Sequence, residues 1–175
     1  MPELPEVEIL RQYLETSSLF QPIQHIEVED KKLITTDYPI LMSTLAGRQF
    51  TGTRRVGKNL FVLTDEPNVI VRMHFGMTGD IGAYRDEPDA PRFTRVALHL
   101  DDSGLRLAFI DPRKFGRIRL AESAAAHQKA KKIGPDALEI SAAELYQKLS
   151  RRKTLLKPLL LDQGLLAGLG NWIVD

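Results

Sequence analysis

Seven short apolar or alternating segments between residues 23 and 122 restrict the fold of this chain more than any other feature. They are IQHIEVE, QFTGT, NLFVLT, NVIVRMHF, RVALHL, GLRLAFI and GRIRLAE. Turn signals, among them DEPN, GMTGDIGA and DDSG, divide them. Short alternating runs separated by glycine, proline, asparagine and aspartate are typical of β-strands joined by tight turns. The pattern predicts an antiparallel sandwich or barrel.

Helices are predicted on both sides of this β region. The apolar spacing after Pro5 indicates a first helix from Pro5 to about Thr16, with acidic residues at its positive end. Helices return after about residue 121, where Ser141 and Glu144 form a capping box ahead of AELYQKL and TLLKPLLLDQ has a leucine-rich face. We therefore predict a mainly β fold with α, an N-terminal helix plus an antiparallel β-sandwich, followed by helices.

The last stretch, GLLAGLGNWIVD, reads as a tight glycine loop followed by the first turn of a helix that Asn171 could cap. Its apolar side chains are expected to need a partner surface in sequence that is missing here, which suggests a piece of a longer protein. The residues concerned are Leu165, Leu166, Leu169, Trp172 and Ile173.

Composition excludes several classes of protein. The chain has no cysteine, which rules out disulfides and thiolate zinc sites within it and favours a reducing cytoplasm. The N-terminus is acidic where a secretory signal needs a basic region, and no apolar run approaches the roughly 20 residues that cross a bilayer. We therefore expect a soluble protein without a membrane partner.

The acidic terminus MPELPEVE can be interpreted chemically as well as structurally. Initiator methionine is normally removed before a small residue, which would give Pro2 a free secondary amine. An α-amino group titrates near about 7.7 to 8.0, so part of it is neutral and nucleophilic at physiological pH. Attack on an aldehyde would give an iminium, with Glu3 and Glu6 to move protons. On these residues alone, a plain helix start is the simpler interpretation.

Two motifs in the middle of the chain carry candidate phosphate ligands. RRVGKNLF places Lys58 at a turn, where its ammonium could bind phosphate. MHFGMTG places His74 and Met77 around Gly76, the histidine as a donor and the methionine as an apolar wedge. An ordinary turn lysine, and a core histidine beside a packed methionine, are the more usual cases.

Two later motifs also have two interpretations. IDPRKFGR predicts a hairpin tip from which Arg113 and Phe115 project, a pair suited to entering a base stack but also common on inert surfaces. KTLLKPLLLDQGLLAGLGN places Lys157 and Asn171 around a helix, a glycine loop and another helix, an arrangement that binds phosphate or is purely structural.

The net charge of +1 does not by itself indicate a polyanionic partner. Four separated basic clusters could nevertheless converge on one face and follow a phosphate backbone, although solvated surface is the commoner role of any single cluster. The clusters are Arg54, Arg55 and Lys58; Arg113, Lys114, Arg117 and Arg119; Lys129, Lys131 and Lys132; and Arg151, Arg152, Lys153 and Lys157.

Taken in order, PELPEVE, GKNL, HFGMTG, DPRKFG, and KTLLKPLLLDQ with GLGN closely resemble the formamidopyrimidine-DNA glycosylase family. The resemblance implies a monomeric, nucleoid-associated bacterial enzyme of base-excision repair that acts on double-stranded damaged DNA. It would remove oxidised purines, chiefly 8-oxoguanine and formamidopyrimidines, and nick the abasic site by β and δ elimination. It also implies a catalytic β-sandwich domain at residues 1–130 and the beginning of a helix-two-turn-helix domain at 131–175.

The resemblance assigns a role to each candidate residue. Pro2 resembles the nucleophile that attacks the deoxyribose anomeric carbon, assisted by Glu3 and Glu6. Lys58, His74 and Asn171 resemble the family's phosphate clamps. Met77, Arg113 and Phe115 resemble the residues that fill the gap left by the flipped nucleotide, and Arg113 would read the orphaned base. Lys157 is similar to a basic group close to the lesion.

Several alternatives stay open. The family's sister group, endonuclease VIII, typically begins PEGPE, so Leu4 and the gap-filling trio favour the purine branch. Family members continue past GLGN and end in a zinc or zincless finger, so we expect no cofactor in this chain and any zinc in that missing segment. A non-catalytic DNA-binding homologue or fragment, and a tautomerase with an N-terminal proline, are the rival functions.

Overall fold

Two four-stranded antiparallel sheets form the centre of the protein in a computed structural model, which describes residues 1–101 and 104–175. The strands are β1 (Ile23–Val28), β2 (Phe50–Val56), β3 (Asn59–Thr64), β4 (Ile70–His74), β5 (Asp80–Tyr84), β6 (Thr94–Leu100), β7 (Leu105–Ile110) and β8 (Arg117–Ala121). The first sheet has the order β1-β6-β7-β5 and the second β2-β3-β4-β8. The predicted β-sandwich with added helices is confirmed, and the centre of the predicted DDSG turn lies outside the described residues.

The core lies between the two sheets because alternate residues of each strand point inward. Val71 and Met73 of β4 and Leu107 and Phe109 of β7 belong to one buried cluster. The rings of Phe75 and Phe109 stack with centroids 5.6 Å apart. Since Phe75 directly follows β4 and Phe109 lies in β7, this contact joins the sheets beside the loops described below.

Six α-helices occur in the described residues: α1 (Leu4–Ser17), α2 (Tyr38–Leu45), α3 (Ala124–Ala130), α4 (Ala142–Ser150), α5 (Leu156–Leu161) and α6 (Asn171–Val174). The predicted first helix is confirmed, and Glu144 N–H donates to Ser141 Oγ at 3.2 Å as the capping box required. None of these helices is long and apolar enough to cross a bilayer. The proposed domain boundary after residue 130 stays a prediction.

Two elements, β5 and α2, were not predicted from the sequence. Residues 76–83 were expected to form a turn, but β5 starts at Asp80. The expectation was wrong because Gly82 was interpreted as a turn residue. A β-carbon there would lie 3.3 Å from Ile110 Cδ1 and 3.4 Å from Pro91 Cγ, so the glycine fits a crowded position within the strand. Helix α2 was also missed, although the side chain of Asp37 caps it by accepting from Ile40 N–H at 3.3 Å.

Other expectations were wrong in detail. The connection that carries Arg113 is not a hairpin tip, because β7 and β8 belong to different sheets. Asn171 does not cap α6; Gly170 occupies that position and Asn171 is the first helical residue. Leu166 was expected to need a missing partner, but it is buried, as is Leu165, whereas Trp172 is 91% exposed.

Asp136 joins the helical segment to the second sheet. It is buried, and its two oxygens accept from the Arg55 guanidinium at 2.5 and 2.9 Å. It also accepts from the N–H groups of Gly57 at 2.8 Å and Leu138 at 3.1 Å. Burial raises the pKa of Asp136, but the hydrogen bonds from Arg55, Gly57 and Leu138 outweigh it and lower the pKa overall. This ion pair holds the turn at Gly57, directly before Lys58.

Replacement of Asp136 by alanine is expected to lower the free energy of unfolding by about 3–5 kcal/mol, because it leaves the buried Arg55 charge without a partner. Thermal or urea unfolding measures the change. Asp37→Ala is the matched control, since it removes an exposed helix cap that contributes about 1 kcal/mol. Equal losses in the two variants would contradict a dominant role for the buried pair.

Candidate active site

Glu3 joins the start of the chain to the start of α6. Its Oε2 accepts from Gly170 N–H at 2.8 Å and from Ile173 N–H at 3.2 Å, and its Oε1 accepts from Trp172 N–H at 2.9 Å. Leu4 N–H donates to Gly168 O at 3.0 Å beside these bonds. The side chain is only 4% exposed. Glu3 is therefore a fixed, buried acceptor group for α6, in addition to any chemical role.

The two glycines of GLGN allow this close approach. Gly168 has φ +107°, and a β-carbon there would lie 2.6 Å from Leu4 Cδ1. A β-carbon at Gly170 would lie 2.2 Å from Glu3 Oε1. Because neither distance leaves room for a side chain, the motif is the backbone surface on which Glu3 and Leu4 rest.

Lys58 and His74 meet in a cleft of about 270 Å³, here called the cation cleft, lined by Met1, Gly57, Lys58, Asn59, His74, Ile133, Gln163 and Ala167. Lys58 follows the turn that Asp136 holds, and Asn59 pairs with His74 across β3 and β4. Burial lowers the pKa of Lys58 below its ordinary 10.5, and the negative charge of Glu3 offsets part of this shift. Glu3 is thus electrostatically coupled to this cleft.

His74 has a defined hydrogen-bonding state. Its Nδ1 accepts from Gly76 N–H at 3.1 Å, so a neutral ring carries its proton on Nε2. Burial, followed by the charges of Arg72, Lys58 and Arg117, lowers the pKa of His74 below 6.5. The imidazole is therefore a neutral Nε2–H donor at pH 7, suited to a phosphate oxygen.

Pro2 and Glu6 line a different cleft from that of Lys58 and His74. They share a second cleft of about 270 Å³, here called the proline cleft, with Ile9, Leu10, Gly79 and Asp80. Glu6 is exposed, and its Oε2 accepts from Glu3 N–H at 2.9 Å. Because Met1 precedes Pro2 in the structure, the proline nitrogen is an amide here. Removal of Met1 would turn it into an amine beside the Glu6 carboxyl.

The predicted gap-filling residues come from two neighbouring loops that cross between the sheets. Met77 is 43% and Phe115 48% exposed, and the Arg113 guanidinium lies 5.1 Å from the centre of the Phe115 ring. The loops are in close contact, because a β-carbon at Gly76 would lie 2.5 Å from the Phe115 carbonyl carbon. The structure therefore brings all three side chains to one edge of the sandwich, as the sequence interpretation requires.

Buried Asp111 holds the two crossing loops together. Its Oδ1 accepts from Thr78 Oγ1 at 3.0 Å and from Arg113 N–H at 3.1 Å, while its Oδ2 accepts from Gly116 N–H at 2.6 Å. The sequence showed Asp111 only as a turn residue. Its bond to Thr78, 33 positions away, depends on the packing of the sheets.

Two predicted residues remain apart from these clefts. Lys157 is exposed on α5 and forms an ion pair with Asp175. Asn171 is exposed on the first turn of α6, next to the backbone that Glu3 holds. The described residues contain no group of three or more His, Cys, Asp or Glu side chains able to hold a metal ion. The zinc of a missing finger stays a prediction.

Residues that position the site were harder to find in the sequence. Arg55 was noted only as part of a basic cluster, and Asp136 was not singled out. Asp136 is 81 residues from Arg55, and an aspartate after a Gly-Pro pair indicates a turn rather than a buried ion pair.

A family model and the relatives compared agree on one protein family. Residues 1–118 match the family model described as formamidopyrimidine-DNA glycosylase N-terminal domain. Proteins named formamidopyrimidine-DNA glycosylase are 35% identical over 192 residues in Arabidopsis thaliana and over 179 residues in Latilactobacillus sakei. These alignments cover the whole chain but only 49% and 64% of the relatives.

Solved structures give the same result. The wild-type Lactococcus lactis Fpg (MutM) in complex with DNA containing N7-benzyl-Fapy-dG matches 99% of this chain with a TM-score of 0.90 at 30% identity. The Lactococcus lactis enzyme bound non-covalently to DNA with an AP site has a TM-score of 0.87 at 29% identity. This chain covers 65% of each, so it spans about half to two thirds of the relatives it matches.

The electrostatic link between Glu3 and Lys58 gives a direct test of the site. Lys58 is expected to titrate below 10.5, and Glu3→Gln should lower its pKa further because the charge that favours the ammonium is removed. NMR titration of the lysine side-chain nitrogens measures both values. Glu8→Gln is the control, since Glu8 pairs with Arg11 and Arg55. A Lys58 pKa that is unchanged in Glu3→Gln would contradict the coupling.

Proposed function

Because the chain belongs to the formamidopyrimidine-DNA glycosylase family, we propose that the protein is a base-excision DNA repair glycosylase with AP lyase activity. It removes oxidised purines from double-stranded DNA and cleaves the resulting abasic site through an N-terminal proline Schiff base. The observation that carries the proposal is that Pro2 lines one cleft with Glu6 and is followed by buried Glu3, while the preceding residue, Met1, lines the cation cleft.

Pro2 is the nucleophile in this proposal. After removal of Met1, its secondary amine attacks C1′ of the damaged nucleotide, the bond from C1′ to the base breaks, and the base leaves with a proton. The C1′–O4′ bond then breaks, O4′ takes a proton through the Glu6 carboxyl, and an iminium remains between the proline nitrogen and C1′. The positive charge is an electron sink for the β and δ eliminations that release the two phosphates.

The two glutamates have different surroundings and therefore different roles. Glu3 already accepts three backbone N–H bonds, which fix its position. Its negative charge stabilises the nearby iminium. Glu6 is exposed and accepts one N–H bond through Oε2, so its carboxyl is the one with capacity to move protons in the proline cleft.

The cations and the crossing loops hold the DNA. Lys58 and the Nε2–H of His74 bind backbone phosphates from the cation cleft, and Asn171 binds a phosphate from the first turn of α6. Met77, Arg113 and Phe115 enter the duplex and offset the few kcal/mol that extrusion of a nucleotide costs. Lys157 as a lesion contact, a monomeric protein and a cytoplasmic, nucleoid-associated location stay predictions.

Borohydride trapping tests the chemistry. Incubation of the mature protein with duplex DNA that contains an abasic site is expected to give a covalent adduct, which peptide mass spectrometry places on Pro2. Lys58→Ala is the control for the competing amine, because burial also lowers the pKa of Lys58. An adduct on Lys58, equal trapping by Pro2→Gly, or retention of Met1 in an active protein would contradict the assignment. DNA binding without an adduct would favour the non-catalytic homologue. Absence of both DNA binding and an adduct would favour the tautomerase.

Arg113 gives a separate test of how the duplex is read. Arg113→Ala is expected to reduce discrimination between bases opposite the lesion, by about 1–3 kcal/mol at that position, more than it reduces general affinity. Cleavage rates on duplexes that differ only in the opposite base measure this effect. Phe115→Ala is the control from the same loop and should weaken all duplexes similarly. Equal losses on every duplex for Arg113→Ala would make it an ordinary phosphate contact.

A further inference from the structure

The outer face of the second sheet carries four basic side chains in two directly opposed pairs. Arg72 of β4 lies opposite Arg119 of β8, and His74 lies opposite Arg117. The members of each pair are about 5 Å apart at their β-carbons, and the two pairs lie two residues apart on the strands. We call these four residues the arginine face.

In the part of the chain that the structure describes, the arginines of this face have no carboxylate partner, in contrast to the buried arginines that form ion pairs within the fold. Arg55 and Arg95 form ion pairs with Asp136 and Glu29. Among the residues that the structure describes, no carboxylate pairs with Arg72, Arg117 or Arg119.

Each arginine of the face contacts neutral acceptors. Arg72 Nε donates to Asn59 Oδ1 at 2.9 Å, and Arg119 Nε donates to Leu120 O at 3.1 Å. Arg117 donates to the carbonyl oxygens of Lys114 at 3.1 Å and Gly116 at 2.6 Å, which holds the end of the loop that carries Phe115. Arg117 therefore has a structural task, whereas Arg72 and Arg119 have guanidinium charge left uncompensated.

The surroundings add positive rather than negative charge. Burial and the charge of Arg119 lower the pKa of Arg72. On the neighbouring helix, burial and the charges of Arg72, Arg119, Lys131 and His74 lower the pKa of His127 to about 4. Arg119 and His127 share a small cleft with Glu122. Among the described residues that carboxylate forms no ion pair. Opposed like charges destabilise a sheet unless an anion lies between them.

We propose that Arg72 and Arg119 together bind a phosphodiester group of the DNA backbone, next to the one held by Lys58 and His74. This inference rests on the proposed function. Arg72 and His74 are alternate residues of β4, so the two sites are separated by about 6.6 Å along one strand and share one face. The guanidinium groups match phosphate oxygens in planar, bidentate hydrogen bonds, which a lone ammonium cannot make.

The salt dependence of binding to an undamaged duplex tests this site independently of catalysis. Arg119 is exposed, so Arg119→Gln should leave the fold intact. The slope of log Kobs against log[salt] is expected to become shallower by about 0.9, the value of one phosphate contact. Arg119→Lys should keep the wild-type slope because it keeps the charge. Arg48→Gln is the matched control, since Arg48 is exposed elsewhere, close to Glu66.

Two further measurements separate this site from a structural role and from the Lys58 site. The melting temperature of free Arg119→Gln is expected to equal or exceed that of the wild type, because repulsion with Arg72 is relieved. The slope changes of Arg119→Gln and Lys58→Ala should add in the double variant, since each removes a different phosphate.

Four outcomes would overturn the inference. The first two are a salt slope for Arg119→Gln equal to that of the Arg48→Gln control, and a melting temperature of Arg119→Gln below that of the wild type. The other two are a loss of salt slope in Arg119→Lys as large as in Arg119→Gln, and a double variant whose slope is no shallower than that of Lys58→Ala. If the proposed chemistry were wrong, borohydride would trap no adduct, but binding to the duplex and its salt dependence would be unchanged.

Discussion

The hydrogen bonds between the Glu3 carboxylate and the start of α6 are the interaction on which the rest of the site depends. They bring together residues that are 167 to 170 positions apart. Since the N–H groups at a helix start have no partner within the helix, a buried carboxylate satisfies them and is itself stabilised. This contact fixes Pro2 at the mouth of one cleft and places a negative charge beside Lys58 in the other.

A second constraint is the uneven distribution of charge over the sandwich. Where an arginine supports the fold, as Arg55 does, a buried carboxylate compensates it. On the outer face of the second sheet, Arg72 and Arg119 oppose each other without such compensation. Like charges directly opposite each other destabilise a sheet, and this is the physical basis for the phosphate that we propose between them. A net charge of +1 conceals this arrangement because acidic residues elsewhere cancel it.

The crossing of the chain between the sheets explains why exposed Met77 and Phe115 lie at one edge of the sandwich. The two loops that leave β4 and β7 cross side by side, with Asp111 bonded to Thr78 between them. Met77 and Phe115 are both exposed, and Gly76 packs against the backbone of Phe115. This arrangement supports the proposal that the two side chains replace a base in a stack. The buried carboxylate of Asp111 fixes the position of both loops.

The sequence by itself determined the strands with alternating patterns, the first helix and the capping box at Ser141, because these depend on local periodicity and local hydrogen bonds. It also determined the motifs that carry Pro2, Lys58, His74 and Arg113. Only the tertiary structure decided that the Arg113 loop crosses between sheets, that Glu3 caps a helix at the other end of the chain, that Asp136 pairs with Arg55, and that Arg72 faces Arg119. These relations join residues far apart in the chain, and their energies arise from burial and charge proximity, which exist only once the sheets have packed.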